Sequence, residues 1–106
     1  MKTAGIVCKD PITRSNIIEL LAQKGIEAIA IHSAGNFDPE IFDIFFVDLN
    51  SAPAFLVLAR NTQKCIAFTA SGDVHNIQKA KELGCEKVYK NGEFFKKILP
   101  NFSLTQ

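Results

Sequence analysis

No run of apolar residues in this chain is long enough to span a bilayer. The amino-terminal MKTAGIVCKD also lacks the long apolar core of a secretion signal, so a cytoplasmic protein with no membrane partner is expected. An excess of charge of one sign is missing too. Twelve Lys and Arg stand against 11 Asp and Glu, a net charge of +1, which gives a nucleic-acid backbone or an anionic surface nothing to hold. Cysteine is sparse: Cys8, Cys65 and Cys85 are odd in number and far apart, with no C-x-x-C. That excludes a disulfide framework and a structural zinc site and predicts reduced thiols. His32 and His75 are isolated and lack metal-ligand spacing. There is no internal repeat and no low-complexity segment. What remains is one domain, residues 1–106, with 47% hydrophobic and 22% charged residues, an ordinary balance for a globular fold.

What is present is an alternation of strand and helix signals. The apolar run AGIVC (4–8) suits a strand buried on both faces. Asp10 is placed to cap the following helix, Pro11 to occupy its first position, and Gly25 to end it. EAIAI (27–31) predicts a second strand. The turn-rich HSAGNFDPEIF has room for about one helical turn. DIFFVDL (43–49) is the most strand-like run, and Ser51-Ala52-Pro53 opens a helix carrying AFLVLA. CIAFTA (65–70) predicts the fourth strand, and Asp73 caps a helix ending at Leu83-Gly84. KVY (87–89) predicts the fifth strand, and Asn91 caps the last helix. Such alternation predicts a doubly wound parallel sheet in three α/β/α layers, with functional groups at the carboxyl ends of the strands. Those ends carry Cys8, Lys9, Asp10, Asp48, Asn50, Thr69, Ser71, Lys90 and Asn91.

One stretch, CKDPITRS, has the C-x5-R-S spacing of cysteine-dependent phosphatases and is similar to the start of low-molecular-weight tyrosine phosphatases. That chemistry needs backbone N–H groups curled around a phosphate, an arginine clamping it (here Arg14) and a thiolate of lowered pKa (here Cys8). The intervening KDPIT has no glycine to permit the curl. Asp10 faces an anionic substrate and Pro11 removes a donor. The bland reading of Cys8 is a small buried hydrophobe, and that of Arg14 an exposed helix residue.

Over nearly its whole length the chain resembles a response-regulator receiver domain. DIFFVDLN resembles the phosphoacceptor strand, with Asp43 at its start and Asp48 at the phosphoacceptor position. FTAS resembles the strand that carries the hydroxyl switch residue, here Thr69. The spacings from Thr69 to Gly84 and from Lys9 to Gly25 match without a gap. The resemblance implies a flavodoxin-like five-stranded sheet and self-phosphorylation on an aspartate with the help of magnesium and a lysine. The inventory departs from that pattern. The acidic pair ending the first strand falls on Cys8 and Lys9, neither of them a magnesium ligand, with Asp10 one position late. The lysine position, counted from Gly84, falls on Asn91, with Lys90 beside it and Gly92 where a proline usually follows. The aromatic switch position falls on Val88, and Tyr89 misses by one. Lys9 is placed to hold Asp48 as an ion pair.

The expectation is a degenerate, pseudo-receiver-like module that stands alone, has no enzymatic output or cofactor, and acts by protein–protein contact. Two alternatives make different demands. A working phospho-receiver would use Asp48, Thr69 and Lys90, with magnesium on Asp48 and Asp10. A small phosphatase would use Cys8 and Arg14. The second helix is expected to shrink almost to a turn, and the third to be short. Phe55, Leu56, Val57 and Leu58 are consecutive on that third helix, so some of them face outward and offer a surface to a protein partner or a second copy. Alternatively, the segment with Phe37, Ile41 and Phe42 folds back and covers it. Lys79, Lys81, Lys87, Lys90, Lys96 and Lys97 enrich the later half in positive charge, suiting either solvent or a mildly acidic protein partner.

Overall fold

A computed structural model describes residues 2–32, 37–70 and 72–103. Five parallel strands form one sheet in the order β2-β1-β3-β4-β5: β1 (Lys2–Val7), β2 (Ile26–Ala30), β3 (Ile44–Asp48), β4 (Cys65–Thr69) and β5 (Val88–Lys90). The reversal of strand order at β1 makes the sheet doubly wound, as the alternation predicts. Helices α1 (Pro11–Gln23), α2 (Ala54–Arg60), α3 (Val74–Glu82) and α4 (Asn91–Glu93) make the crossovers and the closing element. α4 continues as a π-helical turn, Phe94–Ile98.

Local chemistry sets the boundaries. The Asp10 carboxylate accepts the N–H of Thr13, and Pro11 takes the first position of α1. The chain leaves α1 through Gly25 at a φ of 76°, a conformation only glycine adopts freely. Asp73 caps α3 by accepting from the N–H of Asn76. Asn91 does not cap the last helix; it is the first residue of α4, and the cap position falls on Lys90, whose side chain makes no capping bond.

The sheet is buried on both faces. On one, Ile6, Ile17, Leu21, Phe46, Phe68 and Phe94 pack under α1 and the carboxyl-terminal helix. The Phe68 and Phe94 rings stack there at 4.4 Å. The other face, under α2 and α3, is built on Phe45, Val47, Val57 and Leu58. Its crossover between β2 and β3 is reduced, among the described residues, to one 3-10 turn, Pro39–Ile41. Residues 33–36 of the same connection lie outside the described residues. Two things cover the sheet beside this turn. Phe42 is buried and Phe37 half-buried, and their rings meet Phe45 at 5.1 and 5.6 Å. Ile31 and Phe45 also lie across Gly5, where a Cβ would come within 2.5 Å of Ile31 Cδ1 and 2.7 Å of Phe45 Cδ1. Phe37 and Phe42 therefore fold back over this face, whereas Ile41, expected to join them, stays 55% exposed.

The four consecutive apolar residues of α2 divide accordingly. Val57 and Leu58 are fully buried, so the expectation that they contribute to an interaction surface is corrected: the core takes them. Phe55 is half-buried, with the Lys79 ammonium 4.4 Å from its ring centroid. Leu56 alone is well exposed, at 57%. Cys85, expected to be partly exposed, is buried beneath β4, with its thiol 3.7 Å from the Cys65 carbonyl oxygen.

Candidate functional site

The carboxyl ends of β1 and β3 meet at Asp48. Val7 pairs with Val47, so Cys8 is the residue that follows β1 opposite Asp48. The Cys8 thiol lies 3.9 Å from Asp48 Oδ2 and is 4% exposed. Burial pushes this thiol up from its ordinary value, and the Asp48 charge pushes the same way; a hydrogen bond with the Asp10 backbone and the Arg14 charge offset part of the rise.

The other groups around Asp48 come from its own turn. The Asn50 N–H donates to Oδ1 at 3.0 Å, closing an Asx turn. The Ser51 hydroxyl lies 3.5 Å from Oδ2 and accepts the backbone N–H of Lys9 at 2.8 Å. Lys9 thus reaches this site through its backbone. The expected Lys9–Asp48 ion pair does not form, because the Lys9 side chain follows an exposed loop.

Asp10 is turned to the helix it caps. The Thr13 hydroxyl and N–H hold its carboxyl below the ordinary carboxylate range. Arg14 donates to the Cys8 carbonyl oxygen at 3.1 Å. The structure brings Cys8 and Arg14 close together, but not in the arrangement of a phosphatase: the thiol is buried with its pKa raised, and the guanidinium is bound to the Cys8 carbonyl oxygen of the loop it would need to serve.

Thr69 ends β4 fully buried. Its hydroxyl donates to Asp73 Oδ2 at 2.7 Å and accepts from Asn50 Nδ2 at 3.2 Å. Asp48 is in register with Phe68 and shares its face, so Thr69 projects to the opposite one. Thr69 is in turn in register with Lys90. Lys90 is the last residue of β5, and Asn91, on which the count from Gly84 puts the lysine position, is the first residue of α4. Only three residues form β5. Tyr89 lies in register with Phe68 and is half-buried on the face of α1. Ser71 lies outside the described residues.

Sequence reasoning missed Ser51 and Asn76 as members of this edge. The run D-L-N-S was the available signal for the first, since Asp-x-Asn favours an Asx turn; Asn76 had none beyond its distance from a capping aspartate.

Magnesium, which the resemblance implies, wants several hard oxygen donors in near-octahedral array. Here a single carboxylate, Asp48, faces a protonated thiol and a hydroxyl, while the Asp10 carboxylate is engaged with Thr13. Among the described residues no three His, Cys, Asp or Glu converge to hold a metal. The residues present do not fit the ion.

No family model matches the sequence, and no curated protein does. Solved structures do. The non-phosphorylated HemR receiver domain from Leptospira biflexa superimposes with a TM-score of 0.72 at 15% identity, covering 100% of this chain and 99% of that one. A response regulator protein from Burkholderia pseudomallei, solved with a phosphorylated aspartic acid, calcium ion and citrate, gives 0.73 at 14% identity, covering 98% of this chain and 68% of the other. FixJ-N gives 0.69 at 22% identity, over 86% and 82%. The strand order, the crossovers and these superpositions agree: the chain has the fold of response-regulator receiver domains.

Proposed function

We propose that this chain is a receiver-like signalling module that works by protein–protein contact and does not take up a phosphoryl group in the metal-dependent way. The observation that carries the reading is the Cys8 thiol seated 3.9 Å from Asp48 Oδ2. A phosphoryl group arriving at Asp48 brings negative charge that a cation must neutralise. The position facing it holds a soft, protonated group, and the nearby carboxylate of Asp10 is committed to the cap of α1.

Leu56 and Ile41, both more than half exposed, supply apolar surface beside the thin crossover, and α3 carries Lys79 and Lys81 in its last turn. Contact with a protein partner or a second copy through these surfaces, in the cytoplasm, completes the reading. No described helix is long and apolar enough to cross a membrane.

A titration followed by amide NMR tests it, with millimolar magnesium and beryllofluoride as the aspartyl-phosphate mimic. An unchanged spectrum is expected. Shifts centred on Asp48 and Thr69 and spreading to the last helix would overturn the reading. They would favour the phospho-accepting alternative, with Asp48 as the acceptor. Sedimentation at high concentration addresses the second copy: a strict monomer leaves only a partner of different sequence.

A further inference from the structure

Asn91 and Gly92 take no part in the hydrogen bonds around Asp48, and they form the one Asn-Gly pair in the sequence. Most other described asparagines are committed. The side-chain amides of Asn50, Asn61, Asn76 and Asn101 donate to Thr69 Oγ1, the Val57 carbonyl oxygen, Asp73 Oδ2 and the Lys97 carbonyl oxygen, at 2.7 to 3.2 Å. Asn16 lies within α1 and is followed by the β-branched Ile17. Asn91 is exposed, and among the described residues its side chain has no hydrogen-bond partner.

The neighbouring nitrogen is equally free. Asn91 and Gly92 open α4, where the first N–H groups have no acceptor within the helix, and the Lys90 side chain makes no capping bond. The Gly92 N–H has no partner among the described residues. A Cβ built on Gly92 would meet no atom within 4 Å, so the space around it is open. An amide carbon and an unbonded nitrogen thus stand next to each other on the surface, and the absence of a side chain on Gly92 lets the main chain turn to bring them together. That turn takes the Asn91 ψ out of its helical value. It gives up one bond, from the Phe94 N–H to the Asn91 carbonyl oxygen.

We propose that Asn91–Gly92 is a self-modification site, at which the asparagine loses ammonia and becomes an aspartyl or isoaspartyl residue with water as the only co-reactant. The Gly92 nitrogen attacks Cγ of Asn91. The Cγ–Nδ2 bond breaks, the proton of the attacking nitrogen passes through solvent to the leaving group, and ammonia departs from a cyclic imide. Water then opens the imide at Cγ, giving aspartyl, or at the main-chain carbonyl carbon, giving isoaspartyl. No oxidation or reduction takes place. The net charge falls from +1 to zero. The new carboxylate lies beside the exposed Lys90 at the first turn of a helix, a place that favours negative charge. The isoaspartyl form also adds a carbon to the main chain between Lys90, in register with Thr69, and Phe94, stacked on Phe68 at 4.4 Å. The link from β5 to the last helix then lengthens between two fixed points. None of this depends on whether Asp48 accepts a phosphoryl group.

The test is peptide mapping by mass spectrometry on the full chain, kept folded in neutral buffer, with enzymatic methylation of isoaspartyl groups as the second readout. The peptide holding Asn91 is expected to convert about tenfold or more faster than those holding Asn50, Asn61 and Asn101, and to yield both products. Gly92→Ala, for which the structure has room, should slow the conversion by about tenfold or more, because a Cβ hinders the closing turn. Asn91 left intact in the folded chain, whether or not the urea-unfolded chain converts, would overturn the proposal. So would the aspartyl product alone, or an equal rate in Gly92→Ala, since neither is the mark of a cyclic imide.

Discussion

The Cys8 thiol and the Asp48 carboxylate face each other across the β1–β3 pair, with Sγ 3.9 Å from Oδ2. One is a buried neutral group and the other an acceptor already served by Asn50 and Ser51. Replacing the thiol by a carboxylate should therefore turn a closed arrangement into a cation site. Cys8→Asp is expected to lower stability by about 1–3 kcal/mol without divalent ions, since two carboxylates then share a desolvated edge. Millimolar magnesium should restore part of the loss in a thermal unfolding experiment. Cys8→Ser should cost about 1 kcal/mol and show no magnesium dependence.

The three thiols should be inert in the folded protein. Burial pushes Cys65 up to about 12, with Cys85 beside it, and raises Cys8 and Cys85 as well. A thiol-specific reagent at pH 8 is expected to label none of them rapidly and all of them in denaturant. A thiol whose pKa is raised on folding favours the folded state below the unfolded value of about 8.5. The Cys65 contribution should accordingly be lost as pH rises from there towards about 12, seen as a falling denaturation midpoint.

Asp73 predicts the opposite limb. The Thr69 hydroxyl, then Asn76, hold its carboxyl below the ordinary range. Its contribution is present above the unfolded carboxylate pKa and is lost as pH falls through the depressed folded value. Asp73→Asn should flatten the acid side of the stability profile measured by urea denaturation; an unchanged acid limb would show that other carboxylates set it.

Gly5→Ala should destabilise by about 1–3 kcal/mol through overpacking, because Ile31 and Phe45 leave no room for a methyl group. Gly5→Ala combined with Ile31→Val should recover part of the loss if that contact is the cause.

Neighbouring residues of α2 should behave differently. Leu58→Ala is expected to cost about 2–5 kcal/mol, and Leu56→Ala to stay within about 0.5 kcal/mol. Chemical denaturation of the two variants checks the division of the apolar run between core and surface.

The architecture was legible because its signals are local. Asp10-Pro11, Gly25 and Asp73 mark helix ends by capping chemistry, and the apolar runs of β1, β3 and β4 are long enough to be buried on both faces. The places of Asp48 and Thr69 at the ends of β3 and β4 were legible, and the links around them less so. Counting on from Gly84 puts the family's lysine position on Asn91; that β5 is only three residues long and that Asn91 already belongs to α4 is set by strand pairing and helix geometry, which a count along the chain does not see. Lys9 was expected to meet Asp48 through its charge and meets Ser51 through its backbone, a distinction that side-chain identity does not encode. The burial of Cys85 depends on α3 and β4 closing over it, a tertiary event with no local mark.

The π-helical turn at Phe94–Ile98 acts as a change of phase. Leu99 N–H bonds to the Phe94 carbonyl oxygen at 2.8 Å, five residues apart, so Phe94 and Leu99 fall on one line and both are fully buried. In an ordinary α-helix that line would join Phe94 to Ile98, and everything beyond would be rotated by about 100°. The extra residue is thus what aims the following residues back at the sheet, where the Phe102 ring meets Phe46 at 5.2 Å. The path of residues 99–102 is set by a reading frame within the helix, and the loss of a single residue there would turn Phe102 away from the core.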